Sequence, residues 1–381
     1  MIRELEIYSR DPDLIRHRPL PWESATITLS HLGVESWDLT MDATARERVT
    51  AGWGIIATLD REQILSGPVE DPERVRDSAT SAGTVSVSGA GDLAVVAATL
   101  AWPTPGAAIT NQSERSDTRT GPAESVIKAF VGANIGTTRA SSRRDPSAPL
   151  ARQVVVAPDL GRGEAVEHSA RFEPLMDVIR AAHGGLGVTC SQQGTDLLFD
   201  VYETVERPDA VFSHELGNLR SVRWRDAMPE TTHAIVGGEG AGTARNLRVR
   251  ADSAAAQAWR MSAEEFIDQR SEESNTALNA AGDKALADGR RAGIISATLA
   301  DTPSRRYGTH YALGDRVTVI PEPGTAYTDQ ITSVTIQADR RAGTLTITPA
   351  VGWATGGLYS TRQDREIAQL RRALEALERN L

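Results

Sequence analysis

Short segments in which apolar and polar residues alternate recur near both ends of this chain, and they constrain its fold more than any other feature. Thr26, Ile27, Thr28 and Leu29, and again Thr84, Val85, Ser86 and Val87, carry the period of two that puts every second side chain on one face of a strand. Between residues 3 and 100 the segments ELEIYS, SATITLS, SWDLTM, GIIATLD, QILSGPV and TVSVSG all read as strands. Arg61 and Glu62 separate two apolar runs in the manner of a short hairpin connection. Strands this numerous and this closely spaced close most naturally as an antiparallel barrel or sandwich.

The pattern changes after Trp102-Pro103-Thr104-Pro105. Gly121, Pro122 and Glu124 offer an N-cap, a proline at N1 and an acid at N3, and Val126, Ile127, Phe130 and Val131 follow at helical spacing. The polar, proline-bearing stretch at 140–149 is a loop or local linker. A second helix is expected over roughly 173–183, with Leu175, Met176, Val178 and Ile179 inward and Gly184-Gly185 ending it. GVTCSQ and LLFDVYE around Gln193-Gly194-Thr195-Asp196 form a hairpin.

Strand character returns from residue 211 in VFS, LRSVRWR, HAIVGG and RNLRVRAD. Ser262 with Glu265 three residues on reads as a capping box, so the alanine-rich segment to about residue 289 is expected to form one long or two shorter helices. YALGDRVTVI, DQITSVTIQAD and GTLTITPAV are three further alternating strands. Val317 and Val319 share one strand face that Ile331, Val334 and Ile336 continue, and the proline-bearing loop 321–329 is placed at a barrel rim as an interaction element. The chain is thus expected to be α+β and β-rich. Its parts are a barrel-like domain over 1–103, an α+β domain over 104–210, strands plus helices over 211–304 and a second barrel segment over 305–352.

A fifth part spans 362–381, where Ile367, Leu370, Leu374, Leu377 and Leu381 form an apolar seam spaced 3 and 4 residues apart. A stripe repeating every 3.5 residues drives helices to supercoil around partners. Glu366 and Arg371 stand at g and the following e position, where they can pair between parallel chains, and these seven residues are the expected oligomerisation set. A coil of about 30 Å is too short to hold an oligomer alone, so the body is expected to add contacts; a single helix folding back on its own domain is the other reading of the stripe.

Composition removes several function classes. A 381-residue chain that is 40% hydrophobic and 24% charged is ordinary for a globular protein. No apolar run reaches the length of a membrane span and the start MIRELEIYSRDP has no signal-peptide pattern, so synthesis in a cytosol is expected. A net charge of −10 speaks against general nucleic-acid binding through phosphates. The single cysteine, Cys190, rules out an internal disulfide framework, and the seven histidines never form HxH or HExxH. Cys190 with His183 lacks a third orienting group and reads as a small buried residue. Gly237, Gly238, Gly240 and Gly242 follow a strand without the spacing of a phosphate loop, and read as a turn. The seven tryptophans are dispersed, which favours packing over a glycan platform. No catalytic, cofactor or metal residue is assigned.

Taken in order, SWDLTM, GWGIIATLD, ILSGPV, RTGPAESVIKAFVGANIG, GRG, SARFEPLMDVI, GGLGV, FSHELGNLRSVRW, AIVGGEGAGTAR, FIDQR and YALGDRVTVI resemble minor tail proteins of siphophages that infect actinobacteria. That group is similar to the baseplate-hub family, the N-terminal part of tail-associated lysins. The resemblance implies a structural virion protein at the distal end of the tail, a homotrimer whose barrel-like domains alternate in a pseudo-sixfold ring. Such a hub would join the sixfold distal tail ring to threefold tip or receptor-binding proteins. It would surround the lumen that holds the tape measure protein and passes the genome. The chain ends just after the coil, where longer lysin members carry an appended domain, so no enzyme activity and no cofactor are expected. The alternatives are a tail-tip glycosidase or peptidase and a module that binds host glycans.

Overall fold

In the computed structural model, which describes residues 3–75, 84–137, 139, 154–225, 229–240, 242–270, 273–289 and 294–352, the alternating segments are strands. The N-terminal group is β1 (Leu5–Arg10), β2 (Arg16–Pro19), β3 (Trp22–Ser30), β4 (Ser36–Asp42), β5 (Gly54–Leu59), β6 (Glu62–Val75) and β7 (Thr84–Ala90). Burial follows the pattern: Ile27, Leu29, Val85 and Val87 are inside, and their threonine and serine neighbours are half-buried. β5 and β6 are joined by a two-residue turn one position earlier than the sequence suggests, since Leu59 pairs with Glu62 and both Asp60 (φ 53°) and Arg61 (φ 74°) are left-handed. Two positive φ values in succession match the right-handed strand twist. The Asp60 carboxylate holds this turn by accepting from Glu4 N (3.0 Å) and Arg3 Nε (2.9 Å).

Next come α1 (Leu93–Ala97), β8 (Leu100–Ala101), β9 (Asp117–Pro122), α2 (Ala123–Asn134), β10 (Val154–Val156), β11 (Ala165–Ala170), β12 (Glu173–Pro174), α3 (Leu175–Ala181), β13 (Leu186–Gln193) and β14 (Asp196–Glu203). The helical periodicity is realised: Val126, Ile127, Phe130 and Val131 of α2 and Leu175, Met176, Val178 and Ile179 of α3 enter one apolar cluster with Val188, Leu197 and Phe199 of the hairpin. Each such side chain contributes about 1.5–3 kcal/mol relative to exposure. The cap of α2 is displaced by one residue from Gly121, because β9 runs on through Pro122, which pairs with Ala165 and stands at the N-cap with ψ 142°.

The remaining elements are β15 (Glu206–Ser213), β16 (Leu219–Arg225), β17 (His233–Gly237), β18 (Leu247–Ala251), α4 (Ser253–Trp259), β19 (Glu264–Asp268), α5 (Asn275–Gly289), β20 (Ile294–Leu299), β21 (Arg316–Glu322), β22 (Thr325–Asp339) and β23 (Thr344–Gly352). The chain divides into two compact units, one made of Met1–Ser221 with Ala297–Val351 and one built on Val222–Ser296. It leaves the first unit at Ser221 and returns at Ala297.

Three expectations are corrected. The strand-rich ends are not two barrel-like modules: β22 pairs antiparallel with β3 from Ser333↔Ser30 to Asp339↔Ser24, and one path runs β16-β20-β23-β22-β3-β4-β7-β6-β5-β1-β2 without closing. Ile336 opposes Ile27 and Val334 opposes Leu29, so the two alternating faces continue each other, and one broad sheet buries both. The helix expected to start at Ser262 is instead β19, whose Phe266 pairs parallel with Ile235 of β17; the helices are α4, capped by the Asp252 carboxylate on Ala255 N at 3.1 Å, and α5. A capping-box pattern lost here to a central strand with two free neighbouring positions. Finally, 321–329 is not a rim loop: 321–322 end β21, 325–329 begin β22, and only Pro323 and Gly324 connect them, with Glu322 opposite Thr325. The expected coil over 362–381 lies outside the described residues.

Candidate functional site

Two buried ionic networks hold the first unit together. Arg10 ends β1 with no exposure, and its Nη1 donates to Asp92 Oδ2 at 2.6 Å while Nη2 reaches Oδ1. Arg10 Nη1 also donates to Gln192 Oε1 (3.1 Å), the Ser66 hydroxyl donates to Asp92 Oδ2 (2.6 Å), and Gln192 N donates to Ser66 Oγ (2.7 Å). The network therefore ties β1 and β6 of the large sheet to the residue before α1 and to β13. Gly54 makes the room, since a Cβ there would lie 2.5 Å from Arg10 Nε.

The second network is centred on Glu124, fully buried in the first turn of α2. Its carboxylate accepts from Lys128 Nζ (2.6 Å), Arg162 Nε (2.8 Å), Arg162 Nη2 (2.9 Å) and Arg162 N (2.9 Å). The Arg162 hydrogen bond above all, with Lys128 behind it, holds this carboxyl far below the usual carboxylate range. Lys128 Nζ continues to Pro158 O (2.7 Å) and Asp200 Oδ1 (2.8 Å), and Arg162 Nη2 to Val201 O (2.6 Å). The PAESVIK and GRG motifs thus meet in one place, and what they do there is lock α2 onto β14.

The described residues weighed for chemistry lie on separate elements. Cys190 is buried among the apolar hairpin cluster, and burial pushes its thiol up. The glycine-rich segment connects β17 and β18, with Gly240 (φ 106°) and Gly242 (φ 54°) in the left-handed region. Trp22 and Trp37 are core residues, Trp224 and Trp259 are exposed on separate elements, and Trp353 lies outside the described residues. Among the described residues, no group of three His, Cys, Asp or Glu side chains is arranged to hold a metal, and no helix is long and apolar enough to cross a membrane. In the first unit a cleft of about 370 Å³ is lined by Arg3, Arg220, Asp301 and Arg306. Its acid is committed, because Asp301 Oδ2 accepts from Arg3 Nη1 (3.1 Å) and the Tyr307 amide bonds Oδ1.

Glu35 is a different case. Its Oε2 has no hydrogen-bond partner, a Cβ on Gly91 would lie 2.3 Å from that oxygen, and burial, reinforced by the Asp92 charge, pushes its carboxyl up to about 7. His31 shares a 3.0 Å hydrogen bond with the Tyr202 hydroxyl, and burial followed by the nearby His183 lowers it to about 4.

Sequence reasoning found the Glu124 motif without its role, and a signal was present: Lys128 is one of two lysines in the chain and stands at i+4 from that acid. Arg10, Ser66, Asp92 and Gln192 gave no local signal. The oligomerisation set Glu366, Ile367, Leu370, Arg371, Leu374, Leu377 and Leu381 lies outside the described residues.

Residues 4–352 match the family model described as Siphovirus ReqiPepy6 Gp37-like protein. No curated protein matches the chain by sequence. Among solved structures, the fold is similar to the 43 kDa tail protein of prophage MuSo2 from Shewanella oneidensis, at 14% identity and a TM-score of 0.55, covering 91% of this chain and 97% of that one. It is similar to a tail protein from Neisseria meningitidis MC58 at 14% identity and TM-score 0.54, over 92% and 96% of the two chains. It is also similar to prophage tail protein gp18 from Listeria monocytogenes EGD-e at 10% identity and TM-score 0.55, over 97% and 99%.

Proposed function

The chain belongs to the Siphovirus ReqiPepy6 Gp37-like protein family, and from that premise we propose that it is a structural protein of the phage tail tip. It forms a trimeric baseplate hub that joins the sixfold distal tail ring to threefold tip or receptor-binding proteins, and surrounds the lumen through which the genome passes. The observation that carries this reading is a siphovirus family match spanning nearly all the described chain, on a fold shared end to end with three prophage tail proteins. The interior supports it, because among the described residues the ion pairs of Arg10 with Asp92 and of Glu124 with Lys128 and Arg162 serve as fasteners between elements. The protein works without catalysis and without a cofactor. Its partners are further copies of itself, the distal tail ring, the tape measure protein and the tip proteins, with the 362–381 seam reinforcing the trimer.

Light scattering of the full chain and of a version ending at Gly357 tests the assembly. A mass near three chains that falls on truncation supports a seam-assisted hub, and a monomer in both, with a single copy in assembled tails, overturns the trimer. Zymography on host cell walls tests the enzymatic alternative, with no clearing expected.

A further inference from the structure

Among the described residues, the second unit carries a sheet with one face packed on a helix and the other exposed. In β18-β17-β19, Ala234 and Val236 turn toward α5: a Cβ on Gly282 of α5 would lie 3.2 Å from Val236 Cγ2, and α5 binds β18 through Asp283 to Arg250 (2.6 Å) and Asn275 to Arg248 (2.9 Å). Strand alternation sends the other set outward. The register aligns that set in three rows, Ala251-His233-Glu264, Val249-Ile235-Phe266 and Leu247-Gly237-Asp268. Leu247, Val249 and Phe266 are 56%, 59% and 55% exposed. Arg245 lies over Gly237 with its guanidinium carbon 5.4 Å from the Phe266 ring centre, so the row is preorganised on that side. At the His233 end the face runs into a cleft of about 410 Å³ that Arg260 and the exposed Met261 line.

We infer that this face is the seat of a neighbouring copy of the same chain in the hub, an inference that rests on the hub reading. The area argues for it. Three five-residue strands cover a flat projection of roughly 240 Å², and side-chain relief does not raise that to the level of about 800 Å² of accessible surface per partner in an interface stable alone. A surface this small serves an occupant already held by other contacts, which is the situation of a neighbour in a closed ring and not of a separately recruited ligand. A ring also requires each copy to receive its neighbour on a surface unlike the one it offers, so an apolar seat on one unit suits it. Charge agrees: Arg245, Arg260 and Arg270 outnumber Asp268, which pairs with Arg245 and with Arg270 at 2.7 Å, and Glu264 on this face, while the chain as a whole carries an excess of ten acids.

The test places the photo-crosslinker p-benzoylphenylalanine at Phe266 in the full chain, with Leu160, 68% exposed on the first unit, as the control position. Assembled protein and assembled tails are irradiated and separated by denaturing electrophoresis. A product of two-chain mass from position 266 and none from 160 is expected, and Leu247→Asp with Val249→Asp should weaken self-association at least tenfold with unchanged circular dichroism. Multimeric protein that yields no two-chain product at 266 overturns the seat and leaves the hub standing. A product joining 266 to a different tail protein also overturns it. A chain that is monomeric in solution and present once per tail overturns the hub reading and this inference with it.

Discussion

The guanidinium of Arg10 and the carboxylate of Asp92 meet fork to fork with 0% and 1% of their side chains exposed, although 82 residues separate them. A bidentate pair satisfies both ions geometrically, and removing one member leaves the other charged and unpaired in the interior. Asp92→Ala should therefore cost about 3–5 kcal/mol. Arg10→Met with Asp92→Leu should cost less than either Arg10→Met or Asp92→Leu alone, as measured by urea denaturation of these three variants and the parent. Equal losses would remove the pair from the list of structural fasteners.

Gly54 belongs to the same construction. An added Cβ would stand 2.5 Å from both Arg10 Nε and Gly67 O, and the second of these is backbone that cannot swing away. Gly54→Ala is expected to destabilise by about 1–3 kcal/mol, read as a fall in thermal midpoint. In an Arg10→Met background the penalty should shrink, because one of its two causes is gone.

Acid should loosen α2 through Glu124. Its carboxyl is held below its unfolded value of 4.5 by Arg162 and Lys128, so the stability it contributes is present above that value and is lost as pH falls. Glu124→Gln should cost about 3 kcal/mol at neutral pH and flatten the acid limb of the stability profile. Hydrogen exchange localises the effect, with faster exchange expected in α2 and around Arg162.

Glu35 has the opposite sign. Its carboxyl is raised to about 7, so the folded protein binds this proton more tightly than the unfolded chain does. The associated stability is fully present below 4.5 and is lost as pH rises through about 7. Glu35→Gln should be more stable than the parent by roughly 1–3 kcal/mol at pH 8 and equal to it near pH 4. Chemical shift titration of the Glu35 carboxyl should also show it falling when Asp92 is replaced by Asn, since the Asp92 charge is one of the causes of its rise.

Local pattern predicted local structure well and partnership poorly. Val126, Ile127, Phe130 and Val131 are spaced for a helix and form one, because four residues on one stripe need only a neighbouring apolar surface of any kind. Ser262 and Glu265 are spaced for a helix start and fall on a strand instead, because β17 offers a full set of backbone partners and Phe266 and Ile267 suit a pleated surface. Of the two ionic networks, only the Glu124–Lys128 step was visible, since it alone connects residues one helical turn apart.

By itself the sequence determined most of the strands, the helices α2 and α3 with their apolar sides, and the family resemblance carried by the order of its motifs. Only the tertiary structure decided that β3 lies beside β22, that Arg10 finds Asp92 and Gln192, and that Leu247, Val249 and Phe266 stand exposed on one face of β18-β17-β19 among the described residues. The physical reason is range. Alternation reports the two environments of a strand over a few residues, whereas the choice of neighbour depends on complementary faces brought together across some 300 residues of chain, as with Thr28 and Thr335, which are 307 apart.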